Sequence, residues 1–110
     1  VREESEVVKK YKKFLQENPR AIVYYDMDEF PNADFLTNSY TMTECEKLLG
    51  SDYKVFYNIY DDDLRYILMG VCHNMWPCIV LYKNGTEIKR TQNTFHEPKL
   101  LAEWIKEQYK

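Results

Sequence analysis

Glycine and proline are scarce in this chain, at three and four residues in 110. That scarcity excludes collagen-like repeats and long flexible linkers. No apolar run approaches the length of about 20 residues that spans a bilayer. The longest, Tyr66-Ile67-Leu68-Met69-Gly70-Val71-Cys72, is the size of a core segment. Cysteine occurs only at positions 45, 72 and 78. Such irregular spacing fits neither a disulfide scaffold nor a zinc site, and the odd count leaves at least one thiol without an internal partner. Positive charge is not in excess either. A net charge of −3 argues against nucleic acid as the main partner, because phosphate binding asks for a basic face. No Ser/His/Asp arrangement, phosphate-binding loop or metal motif occurs, so no catalytic residue, metal or cofactor is assigned. The start, Val1-Arg2-Glu3-Glu4, has neither an initiator methionine nor a signal peptide and reads as that of an excised domain or a processed chain. The endoplasmic reticulum and the cytoplasm both stay open as compartments.

What is present is an ordinary globular balance, 45% hydrophobic and 30% charged, with ten tyrosines, five phenylalanines and two tryptophans. Most of these rings should line a core or a groove, since each buries a large apolar area. One domain over residues 1–110 is expected at this length.

Between Glu3 and Asn18, Val7, Val8, Tyr11, Phe14 and Leu15 recur at helical spacing, and Asn18-Pro19 ends the helix. Ala21-Ile22-Val23-Tyr24-Tyr25 has the unbroken apolar character of a strand covered on both faces. After a polar, irregular stretch from Asp26 to Asn38, Thr41-x-x-Glu44 has the spacing of a capping box. It predicts a helix through Cys45, Leu48 and Leu49 that ends near Gly50. Lys54 to Ile59 reads as a second buried strand. Asp61-Asp62-Asp63 suits a helix start, where carboxylates meet free amides, and that helix covers Leu64 to Met69. Cys78–Lys83 and Thr86–Arg90 flank Asn84-Gly85, the strongest short hairpin signal. Thr94-x-x-Glu97 with Pro98 opens a last helix with Leu100, Leu101, Trp104, Ile105 and Tyr109 on one face. The order α-β-α-β-α-β-β-α predicts an α/β fold, a mixed sheet of four or five strands with helices on both faces.

This succession, with these residues, resembles the thioredoxin-like superfamily across nearly the whole chain. The most specific stretch is Trp76-Pro77-Cys78-Ile79-Val80-Leu81-Tyr82-Lys83-Asn84-Gly85. It is similar to that family's cis-proline, central strand and Lys-Asn-Gly hairpin. The resemblance implies a cis Pro77 that presents backbone to an extended peptide. It also places the family's redox centre just after the first buried strand, around Phe30-Pro31-Asn32-Ala33-Asp34, where no cysteine stands. Disulfide exchange needs a thiolate and a second, resolving thiol, and carboxylates and amides cannot replace them. The chain thus resembles an atypical member without Cys-x-x-Cys, similar in kind to the non-catalytic domains of protein disulfide isomerases.

Other departures concern the groove. Trp76 stands before the proline and either lines a reshaped groove or fills the space left by the missing centre. Gln92-Asn93-Thr94 lacks the glycine that lets a peptide approach closely. Asp26, Asp28, Glu29 and Asp34 follow the first strand, and Asp61, Asp62 and Asp63 follow the second. In a parallel pair both groups gather at the carboxyl ends of the strands, where ligands favour open α/β sheets. Two readings stand: a rim for a basic protein segment, made with Phe30 and Trp76-Pro77, or solvated loop carboxylates with Asp61 as an N-cap. No EF-hand spacing supports calcium.

Cys72 and Cys78 flank the proline segment and could form a regulatory pair, although a helix-end residue and a strand residue around such a loop often point apart. Cys45 and Cys78 read as buried and inert. His73 should pack or cap, and His96 should sit exposed at the last helix. Asn84-Gly85-Thr86 matches the N-glycosylation pattern but falls in a tight hairpin. The expected function is a redox-inactive module that binds a protein or peptide. The alternatives are an atypical thiol-disulfide oxidoreductase using Cys72 or Cys78, and an architectural or homo-oligomerising domain of a larger protein.

Overall fold

A computed structural model of the chain describes residues 3–25, 38–57, 61–73, 78–92 and 97–110. The elements are α1 (Glu6–Glu17), β1 (Arg20–Tyr25), α2 (Asn38–Leu49), β2 (Lys54–Tyr57), α3 (Asp62–Val71), β3 (Cys78–Lys83), β4 (Thr86–Gln92) and α4 (Pro98–Gln108). This is the succession the hydrophobic pattern predicts. The strands form one mixed sheet in the order β2-β1-β3-β4. β1 runs parallel to β2 and antiparallel to β3, and β3 and β4 make the antiparallel hairpin.

β1 and β3 lie in the middle of the sheet, which is why their sequences show no polar alternation. Successive side chains on a strand face opposite ways, so these two strands feed two cores. Ile22, Tyr24, Ile79 and Leu81 pack under α2 and α4 with Met42, Cys45, Leu101 and Ile105. Ala21, Val23, Tyr25, Cys78, Val80 and Tyr82 pack under α1 and α3 with Val8, Tyr11, Leu64 and Leu68. Among the described residues most aromatic rings pack into or against these cores. Tyr11, Tyr24, Tyr25, Tyr53, Tyr82 and Tyr109 are all buried.

Local chemistry sets the element ends. Asn18 closes α1, its backbone N–H and its side-chain amide both donating to the Phe14 carbonyl, at 3.2 and 2.8 Å. Asn84 and Gly85 turn the hairpin with φ of 53° and 84°, the pair of positive values that a two-residue turn between twisted strands requires. A bulge follows, because Leu81 pairs with Lys89 while Tyr82 pairs with Glu87, leaving Ile88 over.

Two expectations are corrected. Thr41 does not start α2, which begins at Asn38 and carries Thr41 in its interior, where it is buried. β2 is not a fully buried strand. It pairs only with β1, so Lys54 is exposed and Val55, Phe56 and Tyr57 are half-buried. No helix among the described residues is long and apolar enough to cross a membrane.

Candidate functional site

The strand register gathers one end of the sheet. Tyr25 pairs with Cys78, Cys78 pairs with Gln92, and Tyr57 pairs with Tyr24 next to that row. The carboxyl ends of β1 and β2 therefore meet the start of β3 at one edge, as the sequence argument for the rim requires. Asp28, Glu29, Phe30, Asp34, Trp76 and Pro77 lie outside the described residues, as do His96 and the cis peptide bond expected before Pro77.

Asp61, Asp62 and Asp63 are described, and they do different things. Asp61 is the N-cap of α3, its Oδ2 accepting from the Leu64 N–H at 2.9 Å. The same oxygen accepts from the Ser5 hydroxyl at 3.0 Å, and Ser5 Oγ accepts from the Val8 N–H at 3.2 Å as the N-cap of α1. One short chain of hydrogen bonds thus satisfies orphan donors at two helix starts. Asp62 is exposed on the first turn, and Asp63 is half-buried beside Glu3, Glu4, Val8 and Ile67. Sequence reasoning finds the Asp61 cap but misses Ser5, 56 positions away, because no local pattern ties the two.

All three cysteines are free and fully buried. Cys45 packs in the core beneath α2 and α4, and burial pushes its thiol up to about 12. Cys72 and Cys78 share the other core, across the sheet from Cys45. Their side chains meet, where the sequence reading expects them to diverge: α3 ends at Val71, and the C-cap position turns Cys72 inward onto the first residue of β3. The neighbouring Cys78 thiol, with burial, pushes Cys72 well above the usual thiol range. The neighbouring Cys72 thiol pulls Cys78 down against its burial, and the Arg90 guanidinium helps against the opposing Glu87 carboxylate.

Arg90 comes from β4, where it pairs with Val80. Its guanidinium donates to the Val71 carbonyl at the end of α3 and pairs with Glu87 at 3.2 Å. The Tyr11 and Tyr82 hydroxyls meet in the same core at 3.4 Å. Burial raises both phenols, and the neighbouring Cys72 adds to it. Neither Arg90 nor the tyrosine pair stands out in the sequence, because a lone Arg on a hairpin strand and two Tyr far apart carry no motif.

The outer face of α3 carries a cavity of about 360 Å³ lined by Tyr66, Met69, Gly70 and His73. Tyr66 is 81% exposed. His73 is exposed and holds the left-handed φ of 53° that closes the helix end, its N–H donating to the Gly70 carbonyl at 3.4 Å, so of the two expected roles it caps and does not pack. No group of three or more His, Cys, Asp or Glu that could hold a metal exists among the described residues.

No protein-family model matches the sequence. No curated protein sequence matches it either. Solved structures do match. A point-mutant thioredoxin from Halobacterium salinarum superposes with a TM-score of 0.63 at 15% identity, over 93% of this chain and 85% of that one. Oxidised thioredoxin from Plasmodium falciparum does so with a TM-score of 0.61 at 18% identity, over 90% and 89%. The zinc-bound form of human ERp44 gives 0.63 at 19% identity, over 90% of this chain and 28% of that longer one. The helices, the mixed sheet and its hairpin agree with the resemblance carried by Trp76 to Gly85, and the chain has the thioredoxin-like fold.

Proposed function

We propose that this chain is a thioredoxin-like module that carries out no disulfide exchange with protein substrates and binds a protein or peptide partner at the end of the sheet where β1, β2 and β3 meet. The carrying observation is the state of its sulfur. No cysteine precedes Cys45, and Cys45, Cys72 and Cys78 are all inaccessible to solvent. Disulfide exchange with a protein substrate requires an accessible thiolate, and a buried thiol is out of reach of such a substrate. What remains is the architecture, with an exposed carboxylate at Asp62, an exposed ring at Tyr66 and the Trp76-Pro77 segment in the sequence between α3 and β3.

The test is affinity capture with the wild type, Trp76→Ala and the double variant Asp62→Lys/Asp63→Lys. Asp61 is left intact because its carboxylate caps α3. The reading expects one partner to be lost by both variants, with the charge reversal acting chiefly on association rate and salt dependence. Retention of every partner by both would overturn it.

A catalytic dithiol at Cys72 and Cys78 is the second reading, favoured by the contact of the two thiols. Turnover in an insulin-reduction assay, abolished by Cys78→Ala, would establish it in place of the first.

A further inference from the structure

The contact between Cys72 and Cys78 has a chemical consequence that needs no partner. We infer that this pair is an oxidation site, where peroxide closes an intramolecular disulfide that staples the end of α3 to the start of β3. The inference goes beyond the binding reading and stands even if the chain binds nothing.

Three observations carry it. The two thiols are neighbours within one buried core, Cys72 at the C-cap of α3 and Cys78 at the first position of β3. Cys45 lies in the core on the opposite face, so Cys72 is the thiol within reach of Cys78. A cation lies near the pair: the Arg90 guanidinium donates to the carbonyl of Val71, the neighbour of Cys72, and is held there by Glu87, whose carboxylate opposes part of its effect on the thiols. A positive charge beside a thiol favours the thiolate, which is the nucleophile. Here the neighbouring Cys72 thiol and Arg90 draw the Cys78 thiol down, so its proton is the easier of the two to lose.

The oxidant is hydrogen peroxide or an equally small hydroperoxide, able to enter during local opening where a protein disulfide cannot. The Cys78 thiolate attacks a peroxide oxygen, the O–O bond breaks, and hydroxide leaves, making the sulfenic acid. Cys72 gives its proton to that hydroxide and attacks the Cys78 sulfur. The S–S bond forms as the S–O bond breaks, and the departing hydroxide takes up the proton that Cys78 first released. Two thiols lose two electrons in total, and one peroxide becomes two waters.

The experiment needs no variant, because trypsin cuts after Arg65 and Lys83 and releases Tyr66–Lys83 with both cysteines in one peptide. Folded protein is treated with excess hydrogen peroxide, quenched, alkylated without reductant and digested. The expected result is a Tyr66–Lys83 peptide two hydrogens lighter that takes no alkyl group, with total free thiols falling from three to one. Dithiothreitol should restore all of them. Cys45→Ala should leave the reaction unchanged, and Cys72→Ala should abolish the lighter peptide. Three results would each overturn the inference: both thiols still alkylated when glutathione beside the protein is fully oxidised; a disulfide-linked dimer in place of the internal bond; or Cys78 passing to sulfinic acid without a disulfide.

Discussion

Single residues hold this molecule together at points the sequence does not advertise. The Tyr109 hydroxyl donates to the carbonyls of Tyr82 at 2.8 Å and Ala21 at 3.3 Å, fixing the end of α4 to two central strands. The Arg20 guanidinium lies 5.1 Å from the Tyr53 ring centre and 5.9 Å from that of Tyr109. Tyr109→Phe keeps the ring and removes the donor, so it should cost about 1–2 kcal/mol, read from urea unfolding. A neutral result would mean that water replaces the hydroxyl at no loss. The tyrosines are legible as core from composition. Their hydroxyl partners are not, because those are main-chain carbonyls on strands distant in sequence.

Among the elements, the starts of α1 and α3 are coupled through Ser5 and Asp61. Loss of a cap costs about 1 kcal/mol, so Asp61→Ala and Ser5→Ala should each destabilise by about that amount. Since both side chains serve one hydrogen-bond chain, the double variant should cost less than the sum, a coupling that a double-mutant cycle detects. Strict additivity would mean that the two caps act separately. At the hairpin, Gly85→Ala forces a side chain into a φ of 84° and should cost about 1 kcal/mol by thermal or chemical unfolding.

The elements also show what a sequence can carry. Order, hairpin, the Asp61 cap and the buried character of β1 and β3 follow from local patterns, and all are legible. The start of α2 is not, since a Thr-x-x-Glu spacing inside a helix looks the same as one at its beginning. Nor is the edge position of β2, because Lys54 to Tyr57 is as apolar as a central strand and only the sheet order decides its exposure. The meeting of Cys72 with Cys78 depends on the direction in which α3 ends, which spacing does not determine.

For the whole molecule, burial without ionisation predicts a particular pH response. Burial raises the phenols of Tyr11, Tyr57, Tyr82 and Tyr109, and it raises the Cys45 thiol to about 12. The folded state then keeps protons that the unfolded chain releases. Each group's contribution is fully present below its unfolded pKa, near 9 for the thiol and near 10 for the phenols, and is lost as pH climbs toward the raised folded value. Stability should therefore hold through neutral pH and fall from about pH 9 upward, with the phenolate absorbance of the buried tyrosines appearing only as the fold is lost. Ionisation of every tyrosine near pH 10 with the fold intact would contradict the burial on which this rests.

The central claim is that this thioredoxin-like fold offers no sulfur nucleophile to a protein substrate. The most direct measurement is the rate at which native protein releases chromophore from an aromatic disulfide reagent at neutral pH, set against the same protein in denaturant. The account predicts slow release from the native chain and a rapid three-thiol release once it is unfolded. A native thiol that reacts as fast as free cysteine, or faster, would contradict it.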